Sequence, residues 1–327
     1  MVADGHGPGD GSFGAGPDRS GVLAGVGHTP LIELSRIVPA GSARVVAKLE
    51  LANPTGSMKD RMAVTAVAGA EARGDLRPGG TVVEYTAGTT GVSLALVCAA
   101  RGYRFHAVFS DAFSQEKRQT MLALGASVED VTSEGGGRIT EGLIKAMIAR
   151  AREVSTAPGH WWCDQLANHD AVTGYLPMGG ELWDQTGGEV DAFVQAVGTA
   201  HSIHGTVRGL RSRGGAPLVV AVEPAESPVL SGGASGAHRI EGIGIGFLPP
   251  LWEPDEVDTV EQVATAEAQA MSRRLAREEG VFAGTSTGAN VVAALRIAER
   301  LGRGATVATV VVDSGLRYLS TDLYRTA

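Results

Sequence analysis

Lys59 sits in the segment Asn53-Pro54-Thr55-Gly56-Ser57-Met58-Lys59-Asp60-Arg61, and the run that follows, Ala63 to Arg73, reads as a helix. Lysine is scarce here: only four of the twenty-eight Lys and Arg residues are lysines. An ammonium at the positive end of a helix dipole is disfavoured, and apolar neighbours such as Met58, Met62 and Ala63 disfavour it further. Such an amine is neutral and nucleophilic near neutral pH, which suits Schiff-base chemistry with a carbonyl compound. Arginine stays protonated and cannot take this role. The competing reading is an ordinary solvated lysine, the usual state of this residue type.

Three loops rich in Gly, Ser and Thr supply the rest of a site. They are Thr86-Ala87-Gly88-Thr89-Thr90-Gly91, Gly198-Thr199-Ala200-His201-Ser202 and Gly284-Thr285-Ser286-Thr287-Gly288. Each precedes a helical run, so free backbone N–H groups and the helix dipole there suit a carboxylate or a phosphate. One such loop is weak evidence, but three with a primed lysine fit a phosphorylated aldehyde together with an amino-acid carboxylate. The third loop also matches G-x-S-x-G, the nucleophile elbow of serine hydrolases, whose triad histidine follows the serine. The last histidine here is His238, so Ser286 has none after it. Dinucleotide binding fails as well: no G-x-G-x-x-G opens the first strand-to-helix turn, and Gly242-Ile243-Gly244-Ile245-Gly246 runs into Phe247-Leu248-Pro249-Pro250, a poor helix start.

Positioning these loops requires alternating strands and helices. The pattern predicts strands at Arg44 to Leu51, Thr81 to Tyr85, Phe105 to Phe109, Ala192 to Val197, Leu218 to Glu223 and Thr306 to Val312. Helices are expected at Ala63 to Arg73, Gly91 to Arg101, Gln115 to Leu124, Ile203 to Leu210, Ala266 to Glu279 and Ala289 to Arg300. Strand and helix in turn mean a mostly parallel sheet covered by helices, with ligands at the carboxyl ends of the strands. Residues 1 to 20 are Gly-rich with little apolar content and are expected to form a disordered tail. With 43% hydrophobic residues the chain is long and apolar enough for about two domains.

A net charge of −8 and pI near 5.5 argue against nucleic acid or an anionic membrane as partner. Cys98 and Cys163 lie apart among apolar residues and read as reduced core residues of a cytoplasmic protein. His160 and Cys163 form one His-x-x-Cys pair without a second pair at zinc-like spacing, so no metal is expected. No signal peptide and no run of about 18 apolar residues is apparent.

From about residue 22 to 324 the sequence resembles the cysteine synthase and cystathionine β-synthase family. The carriers are Gly27-His28-Thr29-Pro30-Leu31, Asn53 to Arg61, Thr86 to Gly91, Arg101-Gly102-Tyr103, Gln165 with Asn168, Gly198 to Ser202, Gly242 to Gly246, Gly284 to Gly288, and Asp313 to Thr321. The resemblance implies an α/β chain of fold type II, tryptophan synthase β-like, using pyridoxal 5'-phosphate. Its domains would be 21–165, with the Schiff-base lysine and substrate loop, and 166–327, with the phosphate loop. The first thirty or so residues of the former would pack on the latter.

Carried over, Lys59 would be the catalytic residue and would hold the cofactor with Thr89, Gly198, Thr199, Ala200, His201, Ser202 and Ser286. Ser286 would meet the pyridine nitrogen. Thr86, Ala87, Gly88, Thr90, Gln165 and Gly242 would contact the substrate. The implied reaction is β-replacement on an L-serine- or L-cysteine-type amino acid, with elimination followed by addition of sulfide or another small nucleophile, in a cytoplasmic homodimer. Alternatives are a lyase of the cysteine desulfhydrase or serine/threonine dehydratase kind, or a catalytically silent binding protein. The chain also departs from the family. Thr86 to Gly91 stands for T-S-G-N-T-G, Ala200 and His201 replace two glycines of G-T-G-G-T, and His169 to Met178 does not reproduce H-x-x-T-T-G. A positive φ at either replaced glycine would strain the backbone by about 1 kcal/mol. His201 would then either donate to the phosphate or point into solvent.

Overall fold

The computed structural model describes residues 20–133 and 139–325, so the expected tail lies almost wholly outside the described residues. In chain order the strands are β1 (Leu31–Leu34), β2 (Arg44–Leu49), β3 (Thr81–Tyr85), β4 (Arg104–Ser110), β5 (Ser127–Val131), β6 (His160–Trp162), β7 (Ala192–Ala196), β8 (Leu218–Pro224), β9 (Thr259–Val263) and β10 (Thr306–Val311). The helices are α1 (Lys59–Arg73), α2 (Thr89–Arg101), α3 (Gln115–Ala123), α4 (Glu141–Ser155), α5 (His169–Thr173), α6 (Leu176–Thr186), α7 (His201–Ser212), α8 (Thr265–Arg274) and α9 (Thr285–Leu301).

Two sheets result. One has four parallel strands in the order β5-β4-β3-β6, and the other has six in the order β1-β2-β10-β7-β8-β9, with only β1 antiparallel. Every residue of β3, β7 and β10 is buried, Val, Ala and Phe making up most of these stretches, with Glu84, Gln195 and three threonines buried among them. β2 pairs with β10 from Arg44 opposite Thr306 to Leu49 opposite Val311, so an early segment of the chain completes the sheet built by its last third.

The pairing places Lys59. Chain leaving β2 runs beside the end of β10, where Met58 N donates to Val312 O at 3.0 Å and Ser57 bridges to Asp313. It then turns directly into α1, which starts at Lys59, four residues ahead of the expected start at Ala63. The ends of β2, β3, β7 and β10 thus face one another, carrying Lys59, the 86–91 loop, the 198–202 loop and Asp313.

Candidate active site

Lys59 is 8% exposed and lines a cleft with Ala87, Thr89, Thr90, Gln165, Gly198, Thr199 and Gly242. Burial pushes its amine down from the ordinary 10.5 to about 8, against the attraction of Asp313, which works upward. The shift runs in the direction expected from the sequence, with desolvation as its main cause, but at about 8 the amine is still mostly protonated at pH 7, short of the neutral form expected there. Two neighbours that sequence reasoning left without a role hold this first helical turn. Asp60, fully buried, accepts from Thr55 N at 2.8 Å, Thr55 Oγ1 at 2.5 Å and Ser93 Oγ at 2.6 Å. Arg61 forms a two-pronged pair with Glu50, Nε and Nη2 each 2.8 Å from a carboxylate oxygen, and a second pair with Glu181 of α6. Lys48 also reaches Glu181, at 2.7 Å. Two cations and two carboxylates thereby tie α1 to the larger sheet. The motif contains Asp60 and Arg61, but nothing local reveals that Glu181, far away in sequence, is their partner.

The 198–202 loop leads from β7 into α7. A Cβ on Gly198 would lie 2.2 Å from Gly242 O, so only glycine lets these two loops approach this closely. Ala200 has φ +68, a left-handed conformation for a residue with a side chain, so the strain anticipated there is real. Ser202 Oγ accepts from Gln195 Nε2 at 2.7 Å, which leaves its own hydroxyl proton free. His201 does not point into solvent. It is fully buried, with Nδ1 3.0 Å from Thr199 Oγ1 and Nε2 bonded to the carbonyl of Gln165. A carbonyl only accepts, so Nε2 carries the proton. Burial, reinforced by Lys59, drives the ring well below the usual histidine range, so the ring is neutral and Nδ1 accepts from Thr199. Lys59 Nζ in turn lies 3.4 Å from Thr199 Oγ1.

The 86–91 loop is shaped by Thr86, whose Oγ1 accepts from both Gly88 N and Gly91 N at 2.9 Å. Its side chain therefore works inside the loop. Gly88 takes φ +108, and a Cβ there would strike Lys117 at 2.5 Å. Lys117 is buried beneath this turn, paired with Glu241 at 2.5 Å and 4.4 Å above the Tyr318 ring. Thr90 Oγ1 donates to Gln165 Oε1 at 2.8 Å, and Gln165 Nε2 donates to Tyr85 O at 2.9 Å. Thr89 Oγ1 is turned toward Asp313 Oδ2 at 3.4 Å, and Tyr318 donates to the same oxygen at 2.8 Å. Ser286 is buried in the first turn of α9 and, like Thr86, Gly88, Ala200, His201 and Ser202, is not among the residues lining the cleft. The remodelled stretch His169 to Met178 forms α5 and the start of α6. Ala171, Val172, Tyr175 and Met178 are all buried there, and Cys98 and Cys163 are free and buried.

Residues 22–313 match the family model described as pyridoxal-phosphate dependent enzyme. A cysteine synthase of Staphylococcus aureus (strain Mu50 / ATCC 700699) is 40% identical over 301 residues, 91% of this chain and 95% of the relative. The crystal structure of a cysteine synthase from Entamoeba histolytica superposes with a TM-score of 0.86 at 32% identity, over 99% of this chain and 95% of that one. An O-acetylserine dependent cystathionine β-synthase from Helicobacter pylori gives 0.87 at 33% identity, over 94% and 99%.

Proposed function

Because the chain belongs to the pyridoxal-phosphate dependent enzyme family, within its cysteine synthase and cystathionine β-synthase group, we propose that it performs β-replacement on a serine-type amino acid carrying a β-leaving group. The observation that carries this reading is the buried amine of Lys59, brought down to about 8 between two anion-binding loops. Pyridoxal 5'-phosphate is the cofactor, and the residues present fit it. Lys59 Nζ would attach it, and the 198–202 loop at the start of α7 would hold its phosphate, with the Ser202 hydroxyl free to donate. The ring nitrogen would fall to Ser286 by family resemblance, although that side chain is buried in the first turn of α9 and is not among the residues lining the cleft. When bound, the cofactor supplies an electron sink for charge developing at the substrate Cα.

The protein's own groups do the rest. The neutral fraction of Lys59 Nζ, appreciable at neutral pH because the amine is brought down to about 8, would take the Cα proton. The first turn of α2 would receive the substrate carboxylate, with Thr90 and Gln165 already locked to each other behind it. The apolar side chains of Phe113, Ile139, Ile144, Ile243 and Ile245 line the cleft and would exclude water, favouring replacement over hydrolytic release.

The domain division near residue 165, with β1 and β2 joining the second unit, belongs to the same reading, as do a homodimer and a cytoplasmic location. Among the described residues no helix is long and apolar enough to cross a membrane. Purified holoenzyme is expected to be yellow and to form cysteine from O-acetyl-L-serine and sulfide, and Lys59→Ala to lose both the colour and the activity. A protein that takes up no cofactor refutes the reading. One that releases pyruvate at an equal rate with and without sulfide is a lyase instead.

A further inference from the structure

Of the two hydroxyls in the 198–202 loop, only one is free to donate to an anion. Ser202 has its hydroxyl proton available, but Thr199 has already given its own to Nδ1 of His201, because Nε2 of that ring must donate to the Gln165 carbonyl and a neutral ring has a single N–H. Resting on the reading of this loop as the phosphate cradle, we propose that His201 takes up a proton when a phosphate dianion occupies the loop. It thereby changes from acceptor to donor toward Thr199, and is a positioning residue that frees the Thr199 hydroxyl for the phosphate. The proton comes from solvent and forms one N–H bond at Nδ1. Thr199 Oγ1 then accepts from the ring and donates onward, while Nε2 keeps its bond to Gln165.

The surroundings explain why the ring is neutral without an anion and why a dianion reverses that. His201 is completely buried, and the charges nearest it are unfavourable to an imidazolium: Lys59 from α1, His204 from the next turn of α7, and His169 from the start of α5. His204 is itself engaged by Glu256 at 2.7 Å, and Glu84, the carboxylate behind Gln165, accepts from Gln165 N at 3.1 Å. Only the Gln165 carbonyl touches the ring in a way that favours the charged form. Two negative charges placed one hydroxyl away, in a site with little water, outweigh Lys59 and the distant histidines. The histidine also ties the phosphate loop to Gln165, and through Gln165 to Thr90 of the substrate loop.

Sulfate, which stays dianionic across the useful range, serves as probe on the full chain stripped of cofactor. Calorimetric titration near pH 7.5 in two buffers of different ionisation enthalpy should show about one proton taken up per sulfate, with affinity falling about tenfold per pH unit above neutrality. His201→Gln should bind sulfate with that proton missing, leaving only the fractional uptake and the fall in affinity above pH 8 that the nearby Lys59 amine contributes. Nitrogen NMR of histidine-labelled wild type gives an independent reading: the Nε2–H neutral tautomer in stripped protein, and an imidazolium both with sulfate and in the cofactor-loaded enzyme. A His201 that stays neutral in the loaded enzyme, or sulfate binding without proton uptake, overturns the inference while leaving the phosphate-loop reading intact. A loop that binds neither sulfate nor cofactor removes both.

Discussion

Replacing Lys59 by methionine should make the cofactor-free protein more stable at neutral pH, although it destroys the reactive amine. The amine titrates near 8 in the folded chain against 10.5 ordinarily, because burial opposes its charge. Below pH 8 it is charged in both states, and folding bears the whole cost of burying that charge. Two and a half units at about 1.4 kcal/mol each give a penalty of about 3 kcal/mol. Between pH 8 and 10.5 the unfolded chain binds more protons, so wild-type stability rises with pH and the penalty fades. Methionine fills a similar space without charge. It gives up the 3.4 Å contact to Thr199, whose hydroxyl keeps His201 as partner, and the attraction of Asp313, which the net depression of the amine already includes. Urea unfolding of wild type and Lys59→Met should therefore differ by about 3 kcal/mol at pH 7 in favour of the variant, and by little at pH 10.5. A variant less stable at pH 7, or a difference independent of pH, would refute the claim that desolvation sets the reactivity of this amine.

Arg61→Met should act in the opposite direction, lowering unfolding free energy by about 3–5 kcal/mol at pH 7, because Glu50 is then left buried with only the Thr29 hydroxyl and the Asn53 amide. The same pair predicts an acid limb. Burial alone would raise the Glu181 carboxyl, but Arg61 and then Lys48 override it and hold it down at about 2. With the folded value below the unfolded one, its contribution of roughly 3 kcal/mol is present above pH 4.5 and lost as pH falls toward 2, and this slope should flatten in Glu181→Gln. Gly88→Ala puts a Cβ into Lys117 at φ +108. It should cost about 1–3 kcal/mol in thermal or urea unfolding and raise KM for the amino acid, with the cofactor absorbance retained.

The sequence makes the chemistry of this site more legible than its mechanics. Lys59 and the loops at 86–91 and 198–202 are local patterns of Gly, Thr and Ser beside strand and helix periodicities, and the fold brings them together because they end adjacent strands. Among the elements the sequence pattern does not announce, β1, β5, β6, β9 and α5 span five residues or fewer, whereas α4 and α6 run to fifteen and eleven. The start of α1 was misplaced because Met58 enters the helix with no side-chain cap to mark it. His201 could not be placed from its neighbours at all. Its partners, Gln165 and Thr199, lie on different elements, and its protonation follows from both at once.

Several groups here are unfavourable when taken singly: a buried ammonium, a left-handed alanine, an unprotonated buried histidine, and the buried carboxyl of Glu84, raised by desolvation. Their coexistence requires a frame that does not yield, since a looser one would hydrate Lys59 and return its amine toward ordinary values. The frame is visible in the paired charges of Lys48, Glu50, Arg61 and Glu181 behind α1 and in the fully buried strands β3, β7 and β10 on either side of the cleft. The Arg61 cluster touches neither the cleft nor the Lys59 amine, yet it fixes the helical turn from which that amine projects. Loosening it should therefore raise the titration point of Lys59 before the protein unfolds, so that reactivity is lost first and the two losses are coupled and not independent.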